Sequence, residues 1–528
     1  MLNTARAYRG MITAPHHLAA QAGLDVLRED GNAVEAMIAA AAAIAVVYPH
    51  MNSIGGDSFW LIDVPGQNPL GIDACGATGA GINRELYARN GYSVIPSRGP
   101  LAANTVAGTL SGWAKAEQTS HALSGHLPLD RLLRDAIYYA EEGIPVTSGQ
   151  QRLTQDKRDQ MDGAPGFSEL FMPGGKVPSA GSRFTNAALA ETLRLIAREG
   201  PQSFYDGSLS QRVAADLARA EIPLDRNDLA RHEALSVTPL SVNTSVATLY
   251  NMPPPTQGVS SLQIMALFER MGVKDAESFA HIHGLVEATK QAFLVRNAEV
   301  CDPEWMARSA DELLATAEIE RMLGAIDGQR ARPWPEPTAP GDTIWMGTTD
   351  RHGVSVSFIQ SIYWEFGSGV VLEETGINWQ NRGSSFSLDP HSYNALAPGR
   401  RPFHTLNPAL ARFHDGRVMP YGTMGGEGQP QTQSAVLSRY ALGQELQQAI
   451  TAPRWLLGKT WGEETTTLKL ESRFDAKLVA DLRDAGHDVE IVEAFSDAMG
   501  HAGAIVRHPD GLLEGATDPR SDGTVAAY

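Results

Sequence analysis

The chain has 528 residues, 43% of them hydrophobic and 20% charged, which excludes a wholly disordered protein. Asp and Glu outnumber Lys and Arg by 61 to 43, and the net charge of −18 argues against nucleic acid as a partner. Two cysteines, Cys75 and Cys301, exclude both a disulfide framework and a multi-thiolate zinc site.

The first residues lack the apolar core of a secretory signal, and the most apolar early stretch, 36–47, is shorter than the roughly 20 residues a membrane span needs. The expectation is a cytoplasmic protein with no membrane partner. Residues 18–28 carry apolar side chains at helical spacing, and the turn 29–32 stops them. Residues 33–47 are nearly all Ala, Ile, Val and Met, which predicts a helix buried on most sides. Residues 59–62 are a short strand candidate. The middle third reads as mainly helical, with segments at 129–142, 187–199, 210–220, 261–271, 279–295 and 311–324. His281 and His283, two positions apart on one of these helices, diverge.

Residues 331–341 contain four prolines in eleven positions and suit neither a helix interior nor a central strand. An exposed, cuttable segment is expected there. It leads into a strand at 343–349, a turn at 350–353 and a second strand at 354–359, where Val354, Val356 and Phe358 alternate with Ser355 and Ser357. Further strands at 410–413 and 418–421 flank the turn 414–417. A glycine-rich turn, 422–428, precedes a helix from about 431 to 440. Helices mixed with antiparallel strands make α+β or layered α/β the natural class.

Eight blocks resemble the γ-glutamyltransferases, in that family's order. They include PHMNSIGG at 49–56, MPPPTQG at 252–258, GDT at 341–343 and GTMGG at 422–426, with others at 10–23, 31–33, 105–108 and 286–288. The resemblance implies an N-terminal-nucleophile hydrolase with a four-layer αββα sandwich. It implies a precursor that cuts itself between Asp342 and Thr343, leaving residues 1–342 as a large subunit and 343–528 as a small one within one sandwich. It makes Thr343 the nucleophile and Ser361 its hydroxyl partner, and it makes Gly425 and Gly426 the oxyanion donors.

The chemistry suits these residue types. A threonine hydroxyl is a weak nucleophile that needs a nearby base. A free α-amine titrates near 7.7–8.0, so cleavage before Thr343 would supply the base within the same residue. Backbone N–H donors aimed at a developing oxyanion are typically the largest catalytic contribution. No cofactor and no metal is required.

Against the family pattern, several substrate-binding positions change. The family's Asn, Gln and amine-binding Asp become Tyr363, Arg382 and Ser385. Its Ser-Ser pair becomes His404-Thr405, and Cys75 falls where a carboxylate-binding Arg is expected. The acidic partner for an α-ammonium is gone and a new cation is present. Arg can clasp a carboxylate bidentately. The expected substrate is therefore a small carboxylate-bearing amide without a glutamate-like head. Two alternatives stand beside it: a γ-glutamyl hydrolase or transferase acting on glutathione-like molecules, and an uncleaved, inactive relative serving as a binding protein. Assembly into a larger homo-oligomer is left open.

Overall fold

In the computed structural model, which describes residues 3–335, 341–458 and 465–528, two seven-stranded sheets lie face to face between two layers of helix. This is the expected α+β, αββα sandwich. From edge to edge, one sheet runs Thr524–Ala527, Met11–Ala14, Asp342–Thr349, Ser355–Tyr363, Asp57–Asp63, Leu70–Ala74 and Leu235–Val237. The other runs Ala5–Ala7, Leu513–Thr517, Ala502–Arg507, Val418–Thr423, Ala409–Phe413, Ala247–Asn251 and Leu240–Asn243. Every neighbouring pair in both is antiparallel. Strands from before and after Thr343 interleave in both sheets. Four of them frame the site: β1 (Asp57–Asp63), β2 (Asp342–Thr349), β3 (Ser355–Tyr363) and β4 (Val418–Thr423).

Helices α1 (His17–Arg28) and α2 (Ala33–Val47) cover the first sheet. All fifteen residues of α2 are buried, because its run of small Ala side chains lets neighbours approach on every side. Its start is fixed by a capping box. Asn32 accepts from the Val34 and Glu35 amides, and Glu35 accepts from the Asn32 amide. Such a cap contributes about 1 kcal/mol. The same end is tied to the β2–β3 turn, where the Ala33 amide donates to the Asp350 carboxylate at 2.9 Å. Helices α3 (Gly258–Met271), α4 (Phe279–Glu299) and α5 (Gln429–Ala441) pack together on the other side, with α3 and α5 lying against the second sheet.

Between the sheets, the Trp345 indole fills a trench made by three glycines. A Cβ at Gly347, Gly422 or Gly503 would come within 2.8, 2.3 or 2.5 Å of its ring. Its Nε1 donates to Ser357 Oγ at 2.9 Å. The close approach locks β2 and β3 of one sheet onto β4 of the other.

Some expectations need correction. The segment 311–324 is two short helices, Ala310–Leu314 and Thr316–Leu323, because Ala315 between them is extended (ψ 145°) and serves as N-cap to the second. The middle third also holds the strands Leu235–Val237, Leu240–Asn243 and Ala247–Asn251. The expected exposed segment falls partly on 336–340, outside the described residues; residues 331–335 are exposed or half-buried. Among the described residues, no helix is long and apolar enough to cross a membrane.

Candidate active site

The site is built where β2 begins. Asp342 pairs with Tyr363 and Ile344 with Gln360, so two residues of β3, Ser361 and Ile362, stand opposite the single Thr343. A bulge of this kind re-aims side chains. Thr343 is only 1% exposed, and its Oγ1 donates to Ser361 Oγ at 3.2 Å. The Tyr363 amide also donates to Ser361 Oγ, at 2.8 Å. Tyr363 has φ 82°, a left-handed conformation that costs an aromatic residue of order 1–3 kcal/mol.

After β4 the chain turns through Gly425 (φ 121°) and Gly426 (φ 52°). Gly426 lies directly against the residue preceding Asp342. A Cβ placed on it would sit 2.9 Å from both Gly341 Cα and its carbonyl oxygen. Gln257 holds this turn. Its Nε2 donates to the carbonyls of Gly426 and Thr405, both at 2.8 Å. Its Oε1 accepts from Arg296 Nη1 at 3.0 Å, and Arg296 is paired with Glu427.

Arg382, also 1% exposed, lies with its guanidinium carbon 3.8 Å from the centre of the Tyr363 ring. Its Nη1 donates to Thr405 Oγ1 at 3.1 Å. Its Nε and Nη2 have no hydrogen-bond partner among the described residues. Those two nitrogens form one edge of the guanidinium, the edge that grips a carboxylate bidentately. Burial lowers the Arg382 pKa to about 10, so it remains a cation at neutral pH.

A buried polar cluster backs this cation. His404 Nε2 lies 3.0 Å from Asp57 Oδ2, and the Leu406 amide donates to His404 Nδ1 at 3.3 Å, which places the imidazole proton on Nε2. Asp57 Oδ1 accepts from the Gly76 and Gly108 amides and from Gln380 Nε2, at 3.0, 3.1 and 3.1 Å. Burial pushes Asp57 up to about 7 against the pull of these donors and of Arg382, and burial drives His404 well below its ordinary value. Cys75 lies beside both, its ligand atom within 4.8 Å of theirs, and burial raises its pKa. Cys75 is thus a neutral thiol.

The structure therefore gathers Thr343, Ser361, Tyr363, Arg382, His404, Thr405, Gly425 and Gly426. Ser385 is half-buried, and its Oγ donates to the Phe403 carbonyl at 3.3 Å, so its hydroxyl ties two loop segments together. Sequence reasoning missed two residues. Asp57 had a signal, a carboxylate opening the otherwise apolar strand Phe59–Ile62 straight after the block at 49–56. Gln257 lay inside the quoted block at 252–258 but carried no assigned role.

An antiparallel αββα sandwich with a buried threonine at the start of a central strand, against a Gly-Gly turn, defines an N-terminal-nucleophile hydrolase architecture. The chain belongs to the gamma-glutamyltranspeptidase family, whose model matches residues 19–528. It is 54% identical to the oxamate amidohydrolase proenzyme of Klebsiella pneumoniae, over 98% of each chain. It is 39% identical to a glutathione hydrolase-like proenzyme of Bacillus subtilis, over 97% of each. Among solved structures, it matches the cephalosporin acylase from Bacillus halodurans with a TM-score of 0.91 at 34% identity, covering all of this chain and 97% of that one.

Proposed function

We propose that the protein is an autoprocessing threonine amidohydrolase that splits oxamate into oxalate and ammonia, as a cytoplasmic step of purine breakdown. The observation that carries this reading is the Nε–Nη2 edge of Arg382, which has no hydrogen-bond partner among the described residues and lies on the ring of Tyr363, whose amide bonds the Ser361 hydroxyl that receives Thr343. Oxamate is a carboxylate joined directly to a carboxamide. Seated on that edge, its carboxylate leaves the amide carbon one bond away, with no room required for an amino-acid head.

The Thr343 hydroxyl first adds to the Asp342 carbonyl, shifting the peptide bond to an ester. Water hydrolyses the ester, leaving a carboxylate on Asp342 and a free α-amine on Thr343. That amine then takes the Oγ1 proton as Oγ1 bonds to the oxamate amide carbon. The oxyanion forms against the Gly425 and Gly426 amides. Collapse expels ammonia, which receives the proton from the α-ammonium, and leaves an oxalyl ester. Water, deprotonated by the same amine, releases oxalate and restores the threonine. Ser361 orients the nucleophile, and Thr405 and Tyr363 hold the guanidinium in place.

A denaturing gel with intact-mass measurement tests maturation. Two fragments meeting at Asp342 and Thr343 are expected in place of one band of 56.7 kDa. Thr343→Ala should give a single uncut chain that releases no ammonia from oxamate. Ammonia release by that variant would remove Thr343 from its role.

A further inference from the structure

On α4, His281 and His283 face different neighbours. His281 Nε2 meets Ser438 Oγ at 2.9 Å. His283 Nδ1 instead lies 2.9 Å from Nε2 of His487, which follows the helix Ala476–Asp484. Glu287, one turn along α4 from His283, shares its face. All three are buried, and one ligand atom from each lies within 4.8 Å of the other two.

The surrounding bonds orient these groups as a metal would need them. His283 Nε2 lies 2.9 Å from the Asp327 carbonyl, which only accepts, so the proton sits on Nε2 and the Nδ1 lone pair faces His487. A carbonyl partner on the far nitrogen is what fixes the tautomer of a metal-bound histidine. Glu287 accepts from Lys290 Nζ at 2.7 Å and from the Arg332 amide at 3.1 Å, which leaves further lone pairs on its carboxylate. Lys290 Nζ also donates to the Arg332 carbonyl at 2.6 Å. Without a cation, a single proton bridges the two imidazoles. A tetrahedral ion bound at about 2.0–2.1 Å to each nitrogen needs them about 3.3 Å apart, a few tenths of an ångström more than they are.

We propose that His283, Glu287 and His487 form a site for a borderline divalent cation of the Zn²⁺ class, completed by water. Two imidazoles and one carboxylate suit Zn²⁺ and not Mg²⁺ or Ca²⁺, which prefer all-oxygen sets. His283 touches Asp327 and Glu287 touches Arg332, so the ion would clasp the segment 327–332, which leads toward the Asp342–Thr343 bond, onto α4. This site is independent of the amidohydrolase reading and of the Thr343 cluster.

The test uses the full chain without an affinity tag, stripped with a chelator and titrated with Zn²⁺ against a chromogenic competitor, and separately with Co²⁺ by visible spectroscopy. One equivalent of Zn²⁺ per chain is expected, together with tetrahedral Co²⁺ bands and no thiolate charge-transfer band. His487→Ala and His283→Ala should each weaken binding by about 100-fold or more. His487→Cys should restore binding and add the thiolate band, while Cys75→Ser should change nothing. Absence of a stoichiometric site in the wild-type chain would overturn the proposal. So would a wild-type thiolate band, which would move the ion to the Asp57–Cys75–His404 cluster, or undiminished binding by a folded His487→Ala chain. If the alanine variants fail to fold, the wild-type stoichiometry and Co²⁺ spectrum still decide.

Discussion

Arg382 and Asp57 are both buried, and each feels the other's charge. The cation offers one edge to a ligand, while the carboxyl is pushed toward neutrality by burial. Removing the guanidinium takes away a charge-assisted contact worth about 1.5–3 kcal/mol. Arg382→Ala should therefore raise KM for oxamate by about ten- to a hundred-fold. Steady-state ammonia release measures this, and an unchanged KM would move carboxylate recognition elsewhere. Arg382→Lys should rescue little, because an ammonium lacks the two-pronged edge. Asp57 makes a pH-dependent prediction. Its folded pKa is raised to about 7 from an ordinary 3.8, so the folded chain holds the proton after an unfolded one has released it. The stability this contributes is full below the ordinary value and is lost as pH rises through about 7. The urea midpoint of the wild type should fall relative to that of Asp57→Asn across this interval. A difference that stays constant with pH would mean that Asp57 does not titrate there.

Gln257, at the entrance to α3, joins the Gly425–Gly426 turn to the Thr405 segment, so its loss should loosen the turn rather than the substrate's carboxylate. Gln257→Leu removes the bonds to both carbonyls while keeping much of the volume, and leaves the Gly426 carbonyl held only by the Gln429 amide. It should lower kcat by about ten-fold or more with KM little changed. A rise in KM alone would show that Gln257 serves binding instead. Much at this level was legible in the sequence. The helices 129–142 and 187–199 stand at the expected residues because their apolar stripes keep helical spacing and glycines 143 and 200 stop them. The β2–β3 hairpin was legible from alternation and the turn after Asp350. The strands Leu235–Val237, Leu240–Asn243 and Ala247–Asn251 were not, since they are short, and the first two are mostly exposed or half-buried, so no strong apolar pattern marks them. Thr343, Arg382 and the Gly-Gly pair were legible only through the order of the family blocks. His283 and His487 were not, because their pairing spans 204 positions.

Strands from both sides of the Asp342–Thr343 bond interleave in each sheet, so cutting that bond leaves two chains in one sandwich with no new interface to form. The whole molecule also carries a net charge of −18, a field that repels an anionic substrate until it reaches the buried Arg382. Salt screens that field over about 10 Å at 0.1 M. For oxamate, kcat/KM should therefore rise between low and moderate ionic strength while kcat stays level; a fall would mean that the local field at the entrance is positive. The most direct test of the central claim is ammonia release by the purified chain given oxamate, alongside aniline release from a γ-glutamyl anilide. Ammonia and oxalate in equal amounts are expected from oxamate, abolished in Thr343→Ala, with little or no aniline. Rapid aniline release with no ammonia from oxamate would contradict it.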